Sequence, residues 1–170
     1  MGLDMYLTKK TYIGANYEHR EVKGSIDITI RGKPIGIDFS RISYIEESVG
    51  YWRKANQIHR WMVENIQNGN DDCGEYDLPK EKAIELLAIC KEIKEKCPLV
   101  DGKDGKLMSN SHIAAKLLPS SSGFFFGSTD YDQYYMQDIE DTIAILERVI
   151  GEDDASKDYF TQEIVYTSSW

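Results

Sequence analysis

The sequence has no long hydrophobic run and few cysteines. No stretch of its 170 residues approaches the roughly 18 consecutive apolar residues that a membrane-spanning helix needs, and MGLDMYLTKK lacks the apolar core of a signal peptide. Of the three cysteines, Cys90 and Cys97 lie seven positions apart in a predicted helix. That spacing corresponds to a helical rise of about 10.5 Å, which is too far for a disulfide. We therefore predict a cytoplasmic protein with reduced thiols.

The chain also lacks an excess of positive charge. It has 20 basic and 29 acidic residues, a formal net charge of -9, which opposes general binding to nucleic acids or anionic membranes. The charge is unevenly distributed, because residues 1–60 carry 10 basic and 7 acidic residues, whereas residues 61–170 carry 10 and 22. This division leaves room for a local basic patch that binds one small anionic ligand, and for an acidic surface that binds a protein.

Compact catalytic and cofactor motifs are missing. The sequence contains no CxxC, HExxH, Walker loop or GxGxxG, and DGKDG at 101–105 lacks the third-position acid and the closing glutamate of a calcium loop. Side chains that could ligate a metal are present without the spacing of a compact site. They are His59, Asp71, Asp72, Cys73, Glu75 and His112. We predict neither a metal nor another cofactor.

The chain has the length of one domain, residues 1–170, and hydrophobic periodicity predicts its elements. Apolar alternation predicts a strand at 3–12, a hairpin at 25–39 and a closing strand at 159–167. A 3.6-residue period predicts helices at 51–66, 77–97 and 132–150, the last ending at Gly151, while 98–123 is the least regular part. These elements predict an α+β fold, with a mostly antiparallel sheet and about three helices packed on one face.

The first predicted helix carries two tryptophans and three cations. Its apolar arc includes Trp52 and His59, so we expect a core tryptophan and favour a buried, hydrogen-bonded histidine. Trp61 falls toward the polar arc and is expected to be exposed near a site or an interface. The cations are either a solvated helix face or ligands for an anion. They are Arg53, Lys54 and Arg60.

DDCGEY at 71–76 forms a turn between two predicted helices and concentrates reactive side chains. A solvated turn is the ordinary interpretation. The functional alternative is a hydrolase site in which His59 acts with Asp72, Glu75 or Cys73 as acid, base or nucleophile. Such a pair must meet in space, and nothing in the spacing enforces this.

The segment at 120–135, SSSGFFFGSTDYDQYY, is unusually aromatic. Three successive phenylalanines cannot all face one core, so at least one faces a cleft or a partner if the segment is extended. Asp130 and Asp132 precede a predicted helix, where they cap its N-terminus and repel a bare phosphate. This pattern favours a base or a sugar, bound by stacking and by hydrogen bonds to carboxylates.

Several strings resemble a family of small, uncharacterised proteins encoded by phages and prophages. They are MGLDMYL, YWRKANQIHRW, DDCGEY, SGFFFGSTDYDQYY with DIEDTI, and the final SSW, and together they span most of the chain. The resemblance implies a setting in the cytosol of a bacterial host and no established activity. It also suggests that these residues share one site.

Our leading hypothesis is an accessory protein of this type that binds a small nucleotide-like ligand and counters a host defence pathway. The alternatives are the hydrolase, with His59, Cys73 and Glu75 as catalytic candidates, and an acidic module that occupies a basic host protein. Homo-oligomers stay open as partners. The predicted ligand-binding residues are Arg53, His59, Arg60, Trp61, Asp72, Glu75, Phe124, Phe126, Thr129, Asp130 and Tyr131.

Overall fold

A computed structural model of the chain describes residues 2–14, 17, 25–103, 105–152 and 161–170. Its strands, in chain order, are β1 (Asp4–Tyr12), β2 (Ile28–Ile30), β3 (Lys33–Ile35), β4 (Tyr44–Arg53), β5 (Tyr76–Asp77), β6 (Leu99–Gly102), β7 (Gly105–Met108) and β8 (Thr161–Ser169). Its α-helices are α1 (Asn56–Asn65), α2 (Lys80–Lys96), α3 (Ser111–Leu117) and α4 (Gln133–Glu152). The predicted α+β class is confirmed.

The main sheet has four antiparallel strands in the order β4-β1-β8-β5. The other four strands form two separate hairpins, β2-β3 and β6-β7. Strand β1 lies in the middle, with Met5 opposite Trp52 on one side and Ser168 on the other. Its alternating residues Leu3, Met5 and Leu7 are fully buried. One face of the sheet therefore forms the floor of the core.

Helix α4 packs directly on that floor. The indole Nε1 of Trp52 donates to Thr142 Oγ1 at 2.9 Å, a buried bond from strand to helix. A Cβ at Gly50 would lie only 2.8 Å from Ile145 Cγ2, so glycine is required for this close approach. Helix α2 lies beside α4, and none of the helices in the described ranges is long and apolar enough to cross a membrane.

The prediction of a helix beginning at residue 51 is wrong for its first five residues. Tyr51 to Arg53 complete β4, Lys54 makes the turn with a left-handed φ of 63°, and α1 starts at Asn56. The apolar spacing of residues 51–55 is compatible with a helix as well as with a strand, but in the structure Trp52 lies opposite Met5 of β1. Pairing with a distant strand therefore overrides the local period.

The other elements follow the sequence more closely. The first strand, the isoleucine hairpin, helices α2 and α4 and the described part of the closing strand are confirmed, although Phe39 lies in a 3₁₀ turn and Gly151 lies inside α4. Residues 159 and 160 of the predicted closing strand lie outside the described residues. The irregular segment 98–123 contains the β6-β7 hairpin and a short helix, α3. The described residues thus form four α-helices, one more than predicted.

Candidate functional site

A cavity of about 330 Å³, which we call the Arg53 groove, lies where β4 ends and α4 begins. One wall comes from the turn between β4 and α1, and the other from the loop before α4 and the first turns of that helix. The cavity is lined by Arg53, Lys54, Gln57, Gly127, Ser128, Asp130, Asp132, Tyr134, Tyr135, Gln137 and Asp138. It combines basic, acidic and aromatic side chains in one concave surface.

The buried side chain of Asn56 holds the two walls together. Its Nδ2 donates to the carbonyl oxygens of Phe126 at 3.1 Å and Ser128 at 2.7 Å, and its Oδ1 accepts from the backbone N–H of Ser121 at 2.8 Å. The residue is only 2% exposed. Three hydrogen bonds from one amide fix the aromatic loop against the start of α1.

Gly127 allows the loop to approach the turn closely. Its φ is +89°, and a Cβ there would lie 3.1 Å from Lys54 Cβ. Both the backbone conformation and the space therefore favour glycine at this position. The second glycine of GFFFG therefore determines the backbone conformation of this wall, and the phenylalanines provide its aromatic side chains.

Three carboxylates line the opposite wall. Asp132 caps α4, because its Oδ1 accepts from the N–H groups of Tyr134 at 2.8 Å and Tyr135 at 3.1 Å. Asp130 Oδ2 accepts from the Ser128 hydroxyl at 2.8 Å. Burial raises the pKa of the Asp138 carboxyl to about 6. The third carboxylate therefore titrates well above its usual range.

These charges stay unpaired across the groove. Arg53 reaches only Asp4, at 3.9 Å, and within the described residues Lys54 and the three carboxylates form no salt bridge. Elsewhere on the surface, Lys10 contacts Glu75 at 2.6 Å. A ligand could therefore contact Lys54 and the three carboxylates without breaking an ion pair, whereas Arg53 has one long, exposed ion pair with Asp4.

His59 belongs to a second, buried cluster. Its Nε2 lies 3.1 Å from Asp71 Oδ2 and its Nδ1 lies 2.7 Å from Tyr166 Oη. Because a carboxylate only accepts, Nε2 carries the proton and Nδ1 accepts from the tyrosine hydroxyl, whose pKa burial holds above its ordinary value. Trp170 Nε1 also donates to Asp71 at 3.0 Å. With 1% exposure and both ring nitrogens occupied, His59 matches the buried histidine that the sequence favours.

The turn at 71–76 folds on itself and toward the sheet. Asp72 accepts from the Tyr76 hydroxyl at 3.0 Å and from the Gly74 N–H at 2.9 Å, while Glu75 pairs with Lys10. Cys73 is exposed with a left-handed φ of 57°. Only Asp71 of this turn reaches His59. The arrangement favours a hydrogen-bonded turn over a catalytic pair.

The remaining predicted ligand residues lie in different places. Trp61 is only 5% exposed, so the expectation of an exposed ring is wrong: its helix turns that side toward the core. Arg60 pairs with Glu64 at 2.7 Å on the outer surface of α1. Phe124 is 96% exposed, whereas Phe126 packs edge-on against His59, with ring centroids 5.2 Å apart.

The proposed single pocket is therefore divided. Arg53 and Asp130 line the Arg53 groove, which includes neither His59 nor any residue of the turn at 71–76. Thr129 lies in the loop and accepts a hydrogen bond from Ser120 through its carbonyl oxygen. Tyr131 does not line this groove; it lines a neighbouring cavity of about 530 Å³.

A separate cavity, of about 240 Å³, lies between α2, α4 and β8. Its walls include Leu78, Ala83 and Val149. Lys9 at its rim contacts Glu47 at 3.2 Å and Glu152 at 3.4 Å. Lys9 is thus already paired with two carboxylates, unlike Lys54 of the Arg53 groove.

Residues 2–14, 17, 25–103, 105–152 and 161–170 contain no group of three or more His, Cys, Asp or Glu side chains able to hold a metal ion. No family model, curated protein or solved structure matches this chain. The site must therefore be interpreted from its own geometry.

Sequence reasoning missed several residues of the groove and of the buried cluster. Asp138 lies in the DIEDTI string, and Asn56 and Gln57 lie in the YWRKANQIHRW block, but their polar side chains looked like solvated helix positions. Burial of a polar side chain is the signal that identifies these residues, and only packing reveals it. The same holds for Tyr166 of the buried cluster.

Proposed function

We propose that the protein binds a small nucleotide-like ligand in the Arg53 groove. The observation that carries this proposal is the combination of two cations, three carboxylates and an exposed tyrosine ring around one cavity. The volume of about 330 Å³ falls within the range of roughly 300–1,000 Å³ for small-molecule sites. The groove has the chemistry and the size for a ligand with both anionic and hydroxyl groups.

Each wall suits a different part of such a ligand. Arg53 and Lys54 provide charge-assisted donors for a phosphate. The carboxylates of Asp130 and Asp138 accept hydrogen bonds from sugar hydroxyls or from amino groups of a base. Tyr134, 70% exposed at the groove, offers a face for base stacking. A phosphate is expected on the basic wall, because the acidic wall repels it.

The environment of Asp138 supports a binding role. Its partly buried carboxylate receives a single hydrogen bond from Gln57 and no cation from the described residues. Ionising it at neutral pH opposes folding, since its pKa is raised. Perturbed carboxyls that line a cleft are typical of functional sites, where local stability is lowered in favour of binding.

The two alternative functions have weaker support. A hydrolase would need the buried His59 to release Asp71 or Tyr166 before it could reach a substrate. The acidic module is predicted to use Asp138, Glu140, Asp141 and residues 152–154, of which 153 and 154 lie outside the described residues. Within the described part, Glu140 is paired with Lys94 at 2.9 Å and Asp138 lines the Arg53 groove. The Arg53 groove requires no such rearrangement.

The predicted biological setting remains part of the proposal. The resemblance to phage and prophage proteins suggests that binding sequesters a nucleotide-like compound in a bacterial host. Sequestration requires only that the ligand be held. The groove is suited to holding, because it offers complementary charges.

Isothermal titration with AMP, GMP, CMP and UMP tests the proposal. We expect at least one nucleotide to bind, and the R53E/K54E variant to bind it at least about tenfold more weakly, because one charge-assisted contact contributes roughly 1.4 kcal/mol or more. The matched control is R31E/K33E, which makes the same charge change at the exposed β2-β3 hairpin. Absence of binding to all four nucleotides, or equal weakening in the control, would refute the proposal.

A further inference from the structure

A second cavity, of about 530 Å³, adjoins the Arg53 groove, and we call it the Lys106 groove. The two cavities share three lining residues, Asp130, Asp132 and Tyr134. The β6-β7 hairpin adds Lys103 and Lys106 to the second cavity. The shared residues thus form a ridge with an open groove on each side.

Backbone contacts fix the hairpin beside this ridge. The N–H of Met108 donates to the carbonyl oxygen of Tyr131 at 3.0 Å, and Leu107 forms an isolated β-bridge with Asp132. The side chain of Met108 is 5% exposed and anchors the hairpin in the core. The position of Lys106, which lies between Gly105 and this anchored pair, is therefore set by the fold.

The two grooves carry the same pattern of charge. Lys103 and Lys106 form no salt bridge with any residue that the structure describes, as is also true of Lys54 in the first groove. Unpaired cations therefore lie at both ends, and the carboxylates of Asp130 and Asp132 lie between them. A ligand that matches this order has two anionic groups with hydrogen-bond donors between them.

We propose that the ligand is a dinucleotide that occupies both grooves, an inference that rests on the proposed function. One phosphate contacts Arg53 and Lys54, and the other contacts Lys103 and Lys106. Between them, a ribose hydroxyl or base amino group donates to Asp130, and a base stacks on Tyr134. A mononucleotide leaves one basic pair unused.

Longer nucleic acid fits the surface less well. The net charge of -9 repels an extended phosphate chain, and the central carboxylates face any phosphate placed on the ridge. Both cavities lie within the size range of small-molecule sites. The arrangement therefore selects a short ligand with two separated phosphates.

The test compares AMP and GMP with the 5′-phosphorylated dinucleotides pApA and pGpG by isothermal titration. We expect a dinucleotide to bind at least about tenfold more tightly than the matching mononucleotide, because one additional charge-assisted contact contributes that much binding free energy. The K103E/K106E variant should remove that advantage and leave mononucleotide binding unchanged. R31E/K33E again serves as the control, and circular dichroism confirms that each variant is folded.

The outcomes separate this inference from the proposed function. If mononucleotides bind but dinucleotides bind no more tightly, or if K103E/K106E binds pApA and pGpG as the unmodified protein does, the dinucleotide assignment is wrong and the Arg53 groove stands. Equal weakening of both ligand classes by K103E/K106E would also overturn it. If neither class binds, both proposals fail.

Discussion

Gln57 donates a hydrogen bond from Nε2 to Oδ2 of Asp138 at 2.9 Å, which joins the first turn of α1 to α4 beneath the Arg53 groove. Gln57 is 2% exposed, so the bond satisfies an amide that water cannot reach. It also favours the ionised carboxylate, but burial has the larger, opposite effect on the pKa of Asp138, and Asp141 and Asp132 add to that effect. The contact therefore determines both the shape of the groove and its charge.

Asp138→Asn should stabilise the protein at neutral pH. The pKa of Asp138 is about 6 in the folded protein, above the ordinary value of 3.8. Between these two pH values the folded protein keeps a proton on Asp138 that the unfolded chain has lost. Stability from this group is present at low pH and declines as pH rises from about 4 to 6. The variant removes that decline and should gain at most about 3 kcal/mol at pH 7.

Urea unfolding from pH 3.5 to 7.5 measures this effect. The matched control is Glu147→Gln, an exposed position further along the same helix whose charge is not among those that raise the pKa of Asp138, and it should change the free energy of unfolding by less than about 1 kcal/mol. A gain for Asp138→Asn that is independent of pH would contradict the interpretation. A loss at pH 7 would also contradict it.

Asn56→Ala should destabilise the fold by roughly 3 kcal/mol, because three hydrogen bonds of about 1 kcal/mol each are lost. Asn65→Ala on the same helix is the control, since Asn65 Nδ2 donates one hydrogen bond, to the Trp61 carbonyl oxygen at 2.9 Å. Urea unfolding measures both variants. Equal effects would mean that Asn56 does not hold the loop that forms the groove wall.

His59→Ala should lower the free energy of unfolding by about 3–5 kcal/mol, because it leaves a cavity and removes partners from Asp71 and Tyr166. His112→Ala, at an exposed position on α3, is the control and should have an effect below about 0.5 kcal/mol. Thermal and urea unfolding provide the measurement. A His59→Ala protein that is fully stable but no longer turns over a bound nucleotide would support the hydrolase instead.

The three thiols should differ sharply in reactivity. Cys73 is exposed, whereas Cys90 and Cys97 are fully buried, and burial raises the pKa of the Cys90 thiol to about 12. At pH 8 the thiolate fraction of Cys90 is then about one in ten thousand. Titration with a chromogenic disulfide should show one fast thiol in the folded protein and three after denaturation. A fast thiol that persists in Cys73→Ser would contradict this assignment.

Much of the fold could be predicted from local patterns. Leu3, Met5 and Leu7 alternate along β1, and Leu86, Cys90 and Ile93 repeat along α2, so each element shows which side faces the core. The boundary between β4 and α1 could not be predicted, because the apolar spacing from residue 51 onward is compatible with both the two-residue period of a strand and the 3.6-residue period of a helix. Periodicity places Trp61 toward the polar arc, but α1 is buried over more than its apolar arc, since the polar residues Asn56 and Gln57 are buried too.

The candidate site was less accessible to sequence reasoning. Arg53, Asp130 and Tyr131 were predicted ligand residues that do line the two grooves. His59 was singled out together with the turn at 71–76, but the residue that it contacts there is Asp71. Residue types indicated the chemistry, whereas their grouping depended on how the chain folds back on itself.

The sequence by itself determined the α+β class, the strands near both ends of the described chain and the two long helices, because hydrophobic period is a local property. Tertiary structure decided which polar groups are buried and which charges share a cavity. The reason is sequence distance: Trp52 bonds to Thr142, 90 positions away, and Gln57 to Asp138, 81 positions away. Local periodicity carries no information about such partners, so the groove exists only once α4 has packed on the sheet.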